Sequence, residues 1–170
     1  MNNDLIKNIN QYTQNLKGKR DSQVSRVYAL EDKLFKYQKV ISQCEASKLV
    51  RKLEKHWKIL ITQIYPEYEG EYAGETWPIN KKSAAVNISA NGLYPYITVH
   101  EVSHGITDCC TMFHSKKIKE PGHGPFWCGV YAYNLDYILN YDIACKFDEH
   151  NIRYVDREVI EDFRKYFKQS

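Results

Sequence analysis

Residues 83–113, SAAVNISANGLYPYITVHEVSHGITDCCTMF, decide the fold. The segment SAAVNIS is short and apolar at every second position, the period of a half-buried strand. Asn91-Gly92 then turns the chain, and Pro95 suits a first helical turn, where its missing N–H costs nothing. Val99, Val102, Ile106, Cys110 and Phe113 follow at spacings of three and four, which predicts a helix to about Phe113 with one face against a core. The other face carries His100 and His104 of the stretch His100-Glu101-Val102-Ser103-His104.

Working outward, WKILITQIY (57–65) is rich in β-branched and aromatic residues and YEGEYAGETW (68–77) alternates, so two more strands precede SAAVNIS, punctuated by Pro66, Gly70, Gly74 and Pro78. Before them, Leu5, Ile9, Tyr12 and Leu16 predict a helix over 4–17 ending at Gly18, and KGKRDSQ (17–23) reads as a linker. Asp21 or Ser22 can cap a second helix with a stripe of Val24, Val27, Tyr28, Leu34, Phe35 and Ile41, and a third runs from about Glu45 to Trp57 with Leu49, Leu53 and Trp57 on one face. After Phe113 we expect a loop to Gly124, a helix from Pro125 to about Asn140, and two shorter helices. The order is α+β: N-terminal helices, a small mixed or antiparallel sheet of about three strands, an active-site helix and C-terminal helices.

A chain of 170 residues fits one domain. With 43% hydrophobic and 26% charged residues and mean hydropathy −0.60, it has a globular composition. The N-terminus has no continuous apolar stretch and no run of about 18 apolar residues occurs, so neither a secretory signal nor a membrane span is expected, and the location read from this is cytoplasmic. A net charge of +3 makes little electrostatic case for nucleic acid. The five cysteines, at 44, 109, 110, 128 and 145, are odd in number and lack C-x-x-C spacing. They fit neither a zinc ribbon nor a disulfide framework, and the expectation is free thiols packed as small hydrophobes.

His100-Glu101-Val102-Ser103-His104 matches H-E-x-x-H inside a predicted helix, the context that motif needs. Residues four apart lie about one turn, or ~6 Å, along a helix, so both imidazoles leave one face and can share a Zn²⁺. Glu101, displaced by about 100° around the axis, is poorly placed to ligate and well placed to act as a base. A third ligand is decisive. His123 in KEPGHGPFW, on a Pro/Gly-rich loop before a helix, can fold back onto the pair, giving three histidines and an open fourth position; Glu120 is its rival. His114 falls off the ligand face if the helix continues, and His56 and His150 read as ordinary surface histidines. Asp108, four residues beyond His104, can accept the distal N–H of a ligating imidazole or be a solvated helix residue.

HEVSHGITD is similar to the active-site helix of thermolysin-like gluzincins, although their Asn-Glu pair on the following helix is absent. HGPFW instead resembles the SprT-like zincins, and most of all a family of small metallohydrolases of phages and actinobacteria, in which H-E-x-x-H is followed by a loop and an H-G-P-x-F segment opening a helix. The upstream DSQVSRVYALEDKLF (21–35) resembles that family's D-x-Q-x-x-x-V-Y-x-x-E block. Trp127 stands where the family commonly has a short acidic or polar residue. The absence of H-x-x-G-x-x-H after His104, with Met112 as the only internal Met, excludes a metzincin. The resemblance covers approximately 21–165 and implies a zincin-like catalytic domain over 21–170, an N-terminal helical extension over 1–20, His100, His104 and His123 on zinc, and Glu101 as the base.

The expectation from these residues is a zinc metallopeptidase acting on a peptide or protein by metal-assisted amide hydrolysis. Glu101 would take a proton from water and return it to the leaving nitrogen. Tyr94, Tyr96, Tyr131, Tyr133, Tyr137 and His114 are all candidates to stabilise the oxyanion. SAAVNIS, as the strand before the active-site helix, lies where zincin-like enzymes bind an extended substrate along the sheet edge. The cleft is expected between this sheet with its helix and the helix opening at Pro125. Two alternatives stand beside this reading. One is a zinc-stabilised binding or virion-associated module with little turnover. The other is a DNA-dependent protease, for which Lys116, Lys117 and Lys119 near the site speak, and against which the weak net charge and missing cysteine ribbon stand.

Overall fold

The computed structural model describes residues 3–13, 20–65, 73–90, 93–113 and 122–169. Among the described residues the chain runs α1 (Asn3–Thr13), α2 (Arg20–Phe35), α3 (Gln43–Trp57), β1 (Leu60–Ile64), β2 (Gly74–Asn80), β3 (Ser83–Ile88), α4 (Pro95–Phe113), α5 (Pro125–Leu139), α6 (Ala144–Glu149) and α7 (Arg157–Gln169), an α+β arrangement. None of these helices is long and apolar enough to cross a membrane.

The helix limits follow from local chemistry. α3 opens on a capping box, in which Glu45 N–H donates to Ser42 Oγ (3.2 Å) and Ser42 N–H donates to Glu45 Oε2 (2.8 Å). It buries Ala46, Val50, Leu53 and Trp57; Leu49, expected on that face, is only half-buried. α5 begins with Gly124 at the cap and Pro125 in its first turn, and stops where Asn140 turns left-handed (φ 53°). α2 starts earlier than the sequence suggests. The expected linker ends in its first turn, so positions 21 and 22 fall within the helix span rather than before it. Its C-terminus comes at Phe35, and Ile41, expected on its stripe, instead donates its N–H to Leu93 O (2.8 Å).

The sheet is mixed, in the order β1-β3-β2. β1 runs parallel to β3 with Leu60 opposite Ser83 and Ile64 opposite Asn87, while β2 runs antiparallel with Gly74 opposite Ile88 and Trp77 opposite Ala85. Pro78, which cannot donate to a ladder, is on the edge strand beside a register shift. β3 is buried at every residue but Asn87, not at alternate ones as the sequence suggested. A central strand paired on both sides is covered on both faces, and its small Ala84 and Ala85 let neighbours close in. Being central, β3 offers no edge to a substrate; the edge on this side of the sheet belongs to β2.

α4 lies across β2 and β3 with α5 against it. The contact is close at Gly105, where an added Cβ would sit 3.0 Å from Ala84 Cβ and 3.1 Å from Thr76 Cγ2. Val102, Ile106, Cys109 and Cys110 join Trp57, Val86, Phe126 and Phe163 in one core, to which α1 contributes Ile6 and Ile9. A second core beneath α2 gathers Val27, Leu30, Trp127, Tyr131 and Phe147. Cys109, Cys110 and Cys128 are buried as expected, whereas Cys44 and Cys145 are exposed on short polar stretches.

α5 is held at its middle by Gly129, whose missing side chain admits Val155; an added Cβ would lie 2.5 Å from Val155 O, a backbone atom that cannot step aside. Gly129→Ala should therefore destabilise the fold by about 1–3 kcal/mol, despite alanine's better helix propensity. Denaturant unfolding checks this, the expected result being a lower midpoint with an unchanged slope.

Candidate metal centre

α4 projects His100 and His104 from successive turns, with ring centroids 5.1 Å apart. His123 arrives from the turn before α5 and places its ring 5.0 Å from His100 and 4.6 Å from His104. One nitrogen from each of the three lies within 4.8 Å of the others, and the Nε2 atoms of His100 and His123 are 3.1 Å apart. A zinc ion with Zn–N bonds of about 2.0–2.1 Å in tetrahedral geometry holds its ligand nitrogens roughly 3.3 Å apart. The donor set therefore fits such an ion in number, kind and spacing.

The aromatic framework is built by α5 and α2. His123, Trp127 and Tyr131 recur every fourth residue, so the Trp127 indole lies flat on His104 (4.7 Å, 25°) and edge-on to His100 and His123 (4.7 and 4.4 Å). Tyr28 covers the centre from α2, stacked on His100 (5.7 Å, 18°) and tilted over His123 (5.1 Å). His123 has φ 60°, the left-handed region, a conformation a side chain adopts only when its surroundings hold it there. Gln23 Nε2 donates to His123 O (2.9 Å) and to Arg153 O (3.2 Å), tying that turn to α2.

His100 is buried and donates Nδ1–H to Glu31 Oε1 (2.7 Å), a carboxylate itself only 3% exposed. Burial opposes charge on His100, but Glu31 outweighs it and holds the imidazole above its ordinary value. Burial, followed by His100 and His123, keeps His104 well below its ordinary value, and burial with His100 pushes His123 down to about 3. Neutral imidazoles are the form in which histidine ligates.

Glu101 lies on the β2 side of α4, beside His100 at one cavity. Thr76 Oγ1 donates to its main-chain O (2.9 Å) and to its Oε2 (3.2 Å), and Gly74 makes room for it: a Cβ there would lie 2.5 Å from Glu101 Cγ. Burial raises the carboxyl above its ordinary value despite His100 and Thr76, which brings it toward the range useful for proton transfer near neutrality. A cavity of about 330 Å³ opens beside His100 and Glu101, between Tyr28 and Asp32 of α2, Gly74 of β2, and Tyr96 and Ile97 of α4. The cleft thus lies between α2 and β2, not against α5, whose Trp127 is buried at 1% exposure. The larger cavity, about 830 Å³, lies between Tyr12, Arg26 and Asp156 and touches none of the three histidines.

Asp108 does not take the place expected for it. Among the described residues no hydrogen bond joins its carboxylate to His104, and the carboxylate that meets a clustered imidazole is Glu31; burial raises Asp108 to about 6. Of the tyrosines weighed for an oxyanion, Tyr96 lines the cavity, Tyr131 is fully buried beneath Trp127, and Tyr133 and Tyr137 belong to the far flank around His56. His114, Lys116, Lys117, Lys119 and Glu120 lie outside the described residues. Sequence reasoning gave Gln23, Tyr28, Glu31, Gly74 and Thr76 no part in the site, although Gln23, Tyr28 and Glu31 are fixed positions of the D-x-Q-x-x-x-V-Y-x-x-E block and Tyr28 was expected on an apolar stripe. Gln23, Val27 and Glu31 are four apart, and two polar side chains on the buried face of a helix were the available signal.

Comparison with protein-family models, curated proteins and solved structures returns no match.

His56 is no ordinary surface histidine. Its ring stacks on Tyr137 (3.9 Å) and its Nε2 meets Tyr133 Oη (3.0 Å), while burial, Arg164 and Lys168 push it from 6.5 down to about 4. A base whose folded value is depressed contributes stability that is complete above its unfolded value and lost as pH falls through the folded one. Stability should decline from about pH 6.5 to about pH 4, and His56→Gln should flatten that part of the profile. Chemical denaturation across this range measures both slopes.

Proposed function

We propose that the chain is a zinc-dependent metallopeptidase, a zincin-like enzyme of the SprT-like kind its motifs resemble, in which His100, His104 and His123 hold the metal and Glu101 is the general base. The observation that carries this reading is the convergence of three imidazoles, two of them held neutral by burial, beside a separately held, buried carboxylate. A site that only staples a fold has no use for Glu101, since its ligands alone satisfy the metal. When bound, the zinc supplies Lewis acidity that polarises a carbonyl and makes water acidic enough to attack it near neutral pH.

The chain's own groups supply the rest. Thr76 holds the Glu101 carboxylate toward the cavity, so its oxygen can take a proton from attacking water and pass it to the leaving nitrogen. Tyr28 and Tyr96 bring phenols to the same cavity. Burial and neighbouring carboxylates raise both, Tyr96 to about 12, so each keeps its proton and can donate to a developing oxyanion. An extended peptide laid along the β2 edge passes Gly74 and Thr76 and so reaches Glu101.

Glu101→Gln should retain one zinc per chain and lose hydrolysis of an unfolded protein substrate by about 10²-fold or more. Elemental analysis and peptide-bond cleavage on the same sample test this, and undiminished cleavage would overturn the reading. His123→Ala should lose or weaken zinc itself. Gly74→Ala, which displaces Glu101 without touching a histidine, should keep the metal and lower turnover.

A further inference from the structure

We infer that α2 is part of the metal centre rather than scaffold beside it: Glu31 is the positioning residue that fixes the orientation and tautomer of His100, and Gln23 is its counterpart on the His123 turn. This deepens the proposed metal site and rests on it.

The geometry is specific. Glu31 Oε1 accepts from His100 Nδ1 at 2.7 Å with both side chains at most 5% exposed, so water does not compete for either. A carboxylate is acceptor-only, so the proton on this contact is on Nδ1 and the Nε2 lone pair is left facing the other imidazoles. That Nε2 lies 3.1 Å from His123 Nε2. The ring cannot flip without breaking a charge-assisted hydrogen bond in a dry site, and Tyr28, from the same helix, stacks on its face. Gln23 lies two turns before Glu31. Its amide nitrogen donates to His123 O, and its oxygen accepts from Arg153 N–H (3.3 Å). A left-handed His123 is thereby fixed at its carbonyl from the helix that orients His100. α2 thus sets two ligands across 69 and 100 residues of sequence.

Partners that orient metal-bound histidines are worth about 10–100-fold in metal affinity when removed. Glu31→Gln, nearly isosteric but uncharged, should weaken zinc binding by that factor in a chelator competition, with Glu31→Asp closer to wild type. Val27→Ala is the control for mere loss of packing, since Val27 is fully buried on the same face of α2 but brings no polar atom to the ligands. It should lower the unfolding midpoint and leave zinc affinity unchanged. In the zinc-loaded chain, ¹⁵N-edited NMR should show a slowly exchanging, downfield His100 Nδ1 proton that moves upfield in Glu31→Gln. Zinc affinity in Glu31→Gln equal to that of wild type, or a loss no larger than in Val27→Ala, overturns the assignment while leaving the metallopeptidase reading intact. A wild-type chain that takes up no zinc overturns that reading, and the role of Glu31 with it.

Discussion

The seam at which α4 rests on the sheet is the constraint on which the site depends. Gly105 brings the helix backbone close to Ala84 and Thr76, and any side chain there would lift α4 away. Contact this tight places one flank of α4 on β2 and leaves the other to α2 and α5. The motif is divided between them: Glu101 goes to the sheet side, where Gly74 and Thr76 receive it, and the imidazoles go to the helical side. Consecutive residues thereby reach different surroundings, a carboxylate facing a cavity and a ring facing carboxylate and indole. The separation of roles follows from helix geometry and from which layer covers which face.

Burial then sets the electrostatics. Polar groups withdrawn from water must be partnered inside, and here they are partnered in chains. Trp57 Nε1–H donates to Asn134 Oδ1 (2.8 Å), Asn134 Nδ2 donates to Ser103 Oγ (3.0 Å), and Ser103 donates to Val99 O (2.7 Å), crossing α3, α5 and α4. This network ties α4, which bears His100 and His104, to α5, which the His123 turn opens. On the other side, Glu31 is, among the described residues, the carboxylate hydrogen-bonded to the cluster. The same desolvation that depresses His104 and His123 raises Glu101, so one physical cause, the cost of charge in a dry site, favours the neutral form of all three groups.

The local signals were legible. The 3.6 period from Val99, the Pro125 start, the β-branched run before Tyr65 and the H-E-x-x-H spacing each carry their meaning within a few residues, and α4, α5, β1 and β3 lie where those signals place them, whereas β2 runs through Gly74 and Pro78, which were expected to punctuate the strands. What escaped was relational. Glu31 and Gln23 act on residues far along the chain, and their spacing around Val27 marks a buried face without saying which residues meet them there. Asp108, four residues beyond His104 on the same face, offers by position either a partner for a ligating imidazole or a solvated helix residue, whereas the hydrogen bond that forms reaches His100 from another helix. Likewise the order of strands puts SAAVNIS in the middle, although its proximity to α4 suggested an edge. Local chemistry decides elements, and packing decides partners.

Trp127 shows the two acting together. As a residue, a large indole four positions after His123 reads as core, and it is core. Its place in the α5 ridge nevertheless makes it the floor for all three imidazoles, flat against His104 and edge-on to the others. An indole face excludes water and offers no conventional acceptor, so among the described residues the ring nitrogens above it find one another and, for His100, Glu31 as partners. A short polar residue at this position would bring water under the cluster, weaken the desolvation that keeps His104 and His123 neutral, and give their nitrogens competing bonds. The breadth of the aromatic floor and the single carboxylate on His100 are thus complementary: one removes alternatives, and the other selects which nitrogen faces the centre.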